Sequence, residues 1–253
     1  MFTRFLNYAF KNALNYNEKE ATTIIIISIL SGFILSFRKW GTEQFDANEG
    51  LNNLILYSIL FLILFLIFLS TQKFTASLFG LEARVHVWKY GPPLGVLVTM
   101  MSYGVIPFVF LGGVKIKEIP RLRLGIFRST VPRIKDIMII GMTGPIMLIL
   151  LSILIFFPLY QINNSEIMLA FIRISSLILV VSAIPMPSLN GINILLKSRT
   201  IWLFYALYSI ILYFLLYLLI NVTQHAFIYL LALILTIIAA WLIKHSLKGS
   251  KHK

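Results

Sequence analysis

Cysteine is absent from the 253-residue chain, which excludes disulfides and cysteine-ligated metal sites. Acidic residues are also scarce, nine against 22 Lys and Arg, and charged residues of both signs make up only 12% of the chain. With 59% hydrophobic content, so little charge excludes a soluble globular domain. Met1–Glu20 lacks an apolar core and a small-residue cleavage site, so no cleavable signal peptide is expected. No internal repeat of the kind that marks many transporters is visible.

What the chain does have is six runs of about 17–22 apolar residues, each the thickness of a bilayer core. The fold class expected is therefore an all-α integral membrane protein with six transmembrane helices and a re-entrant segment. Residues 1–20 read as an amphipathic cytoplasmic segment, with Phe2, Phe5, Leu6, Phe10 and Leu14 at near-helical spacing among Arg4, Lys11 and Lys19. Residues 21–243 form one polytopic domain, and 244–253 a basic cytoplasmic tail. The spans fall at about Ala21–Phe37, from Leu51 past Ser70, Ile137–Phe157, Ile167–Ile184, Ile201–Ile220 and Ala226–Ile243. Residues 92–114 are apolar but interrupted by Pro92, Pro93, Gly95, Gly104, Pro107, Gly112 and Gly113, and are basic at both ends. A segment that enters and leaves on one side satisfies the charge rule there.

A net charge of +13 invites a nucleic-acid reading, and the distribution opposes it. Arg38 and Lys39 fall outside, and Lys73 and Arg173 fall within spans. The other 18 of the 22 basic residues fall on one side, the bias of a cytoplasmic face touching anionic lipid headgroups. Both termini are then cytoplasmic. Lys73 and Arg173 read as snorkelling side chains. The four tryptophans sit at predicted span ends. The sequons at Asn163 and Asn221 lie in loops assigned to the outside.

Several motifs occur in a fixed order. Phe79–Gly91 ends in the charged and aromatic run Arg84-Val85-His86-Val87-Trp88-Lys89-Tyr90-Gly91. The Gly-rich segment follows, then Thr143-Gly144-Pro145, then Pro185-Met186-Pro187-Ser188-Leu189-Asn190-Gly191. This order resembles the site-2 protease family of intramembrane zinc metalloproteases, most closely its compact archaeal members, over roughly Glu18–Trp202. In that family a His-Glu-x-x-His helix supplies two zinc ligands four residues apart and a general base. An Asp in a Leu-Asp-Gly helix end supplies the third ligand. Anchored on Tyr90-Gly91, the resemblance puts the histidines on Phe79 and Ala83, the base on Gly80 and the Asp on Asn190. Leu148 stands where the family's Gly-Pro-x-x-Asn motif has Asn.

Phe and Ala cannot ligate zinc, Gly cannot act as a base, and neutral Asn is a poor substitute for Asp. The resemblance thus implies a catalytically inactive homologue with no metal and no cofactor. It would bind other integral membrane proteins, as a regulator or as an accessory subunit of a membrane complex. Its helix-binding groove would comprise Phe79, Gly80, Ala83, Gly112, Gly113, Pro187 and Asn190. One alternative is an active metalloprotease with a displaced site at Glu82 and His86, which a helix would bring to one face. Another is a transporter or channel component, against which no carboxylate or His falls deep in a span. The tyrosines 205, 208, 213 and 217 read as packing and interface residues.

Overall fold

A computed structural model describes residues 2–41, 45–88, 90–105, 107–109, 111–118, 133–163, 165–186, 188–219 and 227–249. Pro187, the Asn221 sequon, the side chain of Asn163, most of the basic connection and the end of the tail lie outside these residues. Helix α1 (Phe2–Leu14) buries Ala9 and Ala13, and the Phe10 ring lies 4.8 Å from that of Phe74. The amphipathic segment is therefore docked on the protein as well as suited to a membrane surface. Asn17 opens α2 (Glu18–Ser36), with its N–H donating to the Glu20 carboxylate at 3.1 Å.

Asp46 caps α3 (Ala47–Leu78), accepting from the N–H groups of Asn48 and Glu49, which would otherwise lack helical partners. At 32 residues, α3 is about 48 Å long, well beyond a 30 Å bilayer core. Phe61, Leu64, Phe65, Phe68 and Leu69 along it are fully buried and form the centre of the main core with Leu148, Ile172 and Ile178.

The helix stops where the sequence suggested it would continue. Gly80 adopts a φ of 70°, the left-handed conformation that ends helices and favours glycine. The chain then enters strand β1 (Leu81–His86). After α4 (Gly91–Met101), which carries prolines in its first turn where no N–H is missed, strand β2 (Gly113–Glu118) pairs antiparallel with β1. Leu81 lies opposite Glu118, Arg84 opposite Lys115, and His86 opposite Gly113. Residues 87–112 therefore leave and return to neighbouring points, the closed geometry that a re-entrant segment requires.

Helix α5 (Ile134–Leu151) contains Pro145 and runs through a π-helical turn, Ser152–Phe156, into α6 (Phe157–Asn163). Then come α7 (Glu166–Ala183), the short α8 (Asn190–Lys197), α9 (Arg199–Leu219) and α10 (Phe227–Gly249). Five stretches among the described residues are long and apolar enough to cross a membrane: 18–36, 47–78, 134–162, 166–183 and 199–217. They make the chain a helical, multi-pass membrane protein. In α10 the apolar stretch with described side chains is shorter, Ile228–Ala240.

Candidate functional site

The helical face expected to carry the site does not form. Phe79 caps the end of α3 with its N–H turned back to the last turn and is 38% exposed. Gly80 makes the turn, and Ala83 lies in β1, buried with Ala76, Val114 and Ile140. Phe79 and Ala83 thus share no helical face. The displaced metal pair fails for the same reason. In a strand, Glu82 and His86 are about 13 Å apart along the chain, not the single helical turn that would let both reach one ion. Glu82 accepts a hydrogen bond from Arg84 at 2.7 Å, and His86 is exposed. Among the described residues no three His, Cys, Asp or Glu side chains gather where they could hold a metal.

Two glycines of the expected groove are occupied from within. A Cβ on Gly112 would press on the Val87 side chain, at 2.5 Å. One on Gly113 would overlap the Ser188 carbonyl and lie 3.4 Å from Asn190 Oδ1. These residues let β2 seat on the turn before α8. A hydrogen bond from the Trp88 N–H to Ser188 Oγ, at 3.1 Å, holds the same turn from the other side.

Two buried polar residues lie along α5, Gln72 where α3 packs on it and Asn190 where α8 does. Gln72 of α3 is 0% exposed, and neither its Nε2 nor its Oε1 has a hydrogen-bond partner among the described residues. Phe68, one turn earlier on the same face, is also fully buried. Both press on Gly144, where an added Cβ would come within 2.6 Å of Gln72 Nε2 and 2.8 Å of the Phe68 ring. Asn190 is 2% exposed, and its Nδ2 has no hydrogen-bond partner among the described residues. It lies on Gly141, one turn of α5 from Gly144. Pro145 has no N–H to give the Gly141 carbonyl, so α5 adds a second polar weakness at the same turn.

The sequence reading passed over Gln72. Its signal was there: Ser70-Thr71-Gln72 interrupts an otherwise apolar run, and Gln72 stands four residues after an aromatic on a helix that must pack.

Lys73, next to Gln72, does not snorkel. It is 6% exposed and reaches Glu20 Oε2 at 3.3 Å. It also donates to the Asn15 carbonyl at 2.6 Å and lies over the Tyr16 ring, 4.1 Å from the centroid. The other Glu20 oxygen accepts from the Val85 N–H at 2.7 Å, and Tyr16 shares a 2.8 Å hydrogen bond with Ser70. Burial raises the Tyr16 phenol above its usual value, partly offset by the Ser70 hydrogen bond, with a lesser upward push from the Glu20 charge. This cluster ties α1, α2, α3 and β1 together. Tyr205 and Tyr208 are buried in the core, as a packing role requires. The Tyr205 hydroxyl donates to the Leu179 carbonyl at 3.1 Å and lies 2.5 Å from Ser182 Oγ.

Compared with protein-family models, curated proteins and solved structures, the chain gives no match. The resemblance to site-2 proteases therefore rests on the motifs of the chain itself.

Proposed function

We propose that the chain is a catalytically inactive relative of the site-2 proteases. In this reading it binds other membrane proteins without cleaving them, as a regulator or as an accessory subunit of a membrane complex. The observation that carries the proposal is the packing of Phe68 and Gln72 on Gly144, one turn of α5 from Gly141, on which Asn190 lies. The family's chemistry needs two ligands four residues apart on one helix, facing an Asp from a later helix. On α3, Phe68 and Gln72 are four residues apart on the face that packs against the Gly-Pro turn of α5, with Leu69 in the place of the base.

This register lies eleven residues before the one anchored on Tyr90-Gly91, about three helical turns, and unlike that one it falls wholly within a helix. It also puts the pair in contact with the glycine of the Gly-Pro motif. Phenylalanine, leucine and glutamine supply no imidazole and no carboxylate, so the positions lack the means to bind zinc and activate water.

Restoring Phe68→His, Leu69→Glu, Gln72→His and Asn190→Asp together is expected to give a protein that retains near-stoichiometric zinc and is stabilised by it. The same exchange at Phe79, Gly80, Ala83 and Asn190 is expected to do neither. Zinc bound stoichiometrically by the unaltered protein would overturn the reading. Discrete membrane proteins co-purifying in mild detergent would identify the partner class.

We further place both termini in the cytoplasm of a cell-membrane protein, with α10 as a sixth span and residues 92–114 dipping into the bilayer from inside. The one-sided Lys and Arg distribution supports this.

A further inference from the structure

A second polar site lies at the opposite end of the molecule from the α1 cluster. A cavity of about 460 Å³ opens between the C-terminal end of α2, the start of α3, and facing parts of α7 and α9. Its charged lining is Lys39, Glu166 and Arg173. Lys39 Nζ donates to the Tyr57 hydroxyl and stands 4.7 Å above that ring. Arg173 and Tyr213 line the same cavity. The ion pairs among the described residues are Lys73–Glu20 and Arg84–Glu82, so neither cation here meets a carboxylate. Glu166 is about 10 Å from Arg173 along α7. The rest of the lining includes the apolar side chains of Leu35, Leu56, Leu177 and Leu216.

An arginine two turns inside a spanning helix needs an anion or water. Helical side chains lean toward the N-terminus of their helix, so Arg173 points up α7 toward the end where Lys39 and Glu166 lie. Two cations and one carboxylate leave a single positive charge, which one phosphodiester neutralises. Lys and Arg donors suit phosphate oxygens, and the lining leucines suit an acyl or isoprenoid chain. We propose that this cavity holds one phosphate-bearing lipid of the outer leaflet, its headgroup on Lys39 and Arg173 and a chain along the leucines. The site is distinct from the basic inner face and does not depend on the protease resemblance.

The test is thermal unfolding of the full chain, purified in dodecyl maltoside and stripped of lipid. Phosphatidylglycerol is expected to raise the midpoint saturably. Diacylglycerol with the same chains, and inorganic phosphate alone, are expected not to. The Lys39→Gln, Arg173→Gln double variant should bind phosphatidylglycerol at least about tenfold more weakly, each lost charge-assisted bond accounting for such a factor. Lys197→Gln with Arg199→Gln, at exposed basic positions away from the cavity, should bind as before. If the double variant does not fold, Lys39→Gln alone must show the weakening. Unchanged binding in the Lys39 variant, an equal shift from diacylglycerol, or a shift from phosphate alone would each overturn the proposal. A photoreactive residue in place of Leu56 should capture lipid in native membranes. Capture of a discrete protein there would assign the cavity to a partner instead.

Discussion

A single methyl group separates the tolerant from the intolerant glycines around Asn190. At Gly141 an added Cβ would meet Asn190 no closer than 3.6 Å, ordinary contact, whereas at Gly191 it would overlap the Ala183 carbonyl. Gly141→Ala should therefore leave the thermal midpoint in detergent nearly unchanged, helped by the better helix propensity of alanine. Gly191→Ala should lower it by an amount corresponding to about 3 kcal/mol, since a backbone carbonyl cannot swing aside. Gly144→Ala should fall between them, because the Gln72 amide can move but the Phe68 ring is held by the core. Gln72 itself is kept at a cost. Two buried, unpartnered polar atoms penalise the fold, so Gln72→Met should raise stability by about 1–2 kcal/mol in the same assay. A fall instead would mean that the amide is bonded in the membrane. At this scale Asn190 was legible from its motif. Gln72 was not, because polarity in a membrane helix marks a contact without naming the neighbour.

The element the sequence concealed is the hairpin. Leu81–His86 alternates buried and exposed residues only once β2 pairs with it, and that pairing joins residues more than 26 positions apart, beyond any local pattern. A charged, aromatic run after an apolar helix reads equally well as one more turn of that helix. The outward sign was Gly80, since glycine just past a helix is a stop signal. What fixes β1 against the bundle is the Glu20–Lys73 cluster. Removing one partner of a buried pair leaves the other charge unpaired, so Glu20→Ala should cost about 3–5 kcal/mol and expose α1 to proteolysis. Glu20→Ala combined with Lys73→Met should recover much of that loss. Tyr16 adds a pH dependence of known sign. Its phenol is raised in the folded state, so the fold favours the neutral form. That contribution is complete below the ordinary value of 10.0 and is lost as pH climbs above it. The alkaline drop in midpoint should be smaller in Tyr16→Phe, which keeps the ring over Lys73 and removes the titration.

At the scale of the whole molecule, hydrophobic run length located the five spanning stretches to within a few residues, because bilayer thickness sets a minimum length for each of them. Run length says nothing about how the crossings pack, which is why the Phe68–Gln72 face and the outer cavity had to be found in three dimensions. Orientation is the property that ties these levels together, and the absence of cysteine makes it directly measurable. Arg84 and Lys115 are register partners across the hairpin, so they must share a side, whatever residues 87–112 do between them. With the cytoplasmic assignment, Arg84→Cys, Lys115→Cys and Lys135→Cys should be protected from an impermeant thiol reagent in intact cells. Asn48→Cys, on the exposed first turn of α3, should be labelled. Reversal of all four would invert the molecule, moving the lipid cavity to the inner leaflet while leaving the fold intact. Labelling of Lys115→Cys alone would separate two residues that the strand pairing holds side by side, and would require the hairpin, and with it the re-entrant segment, to be abandoned.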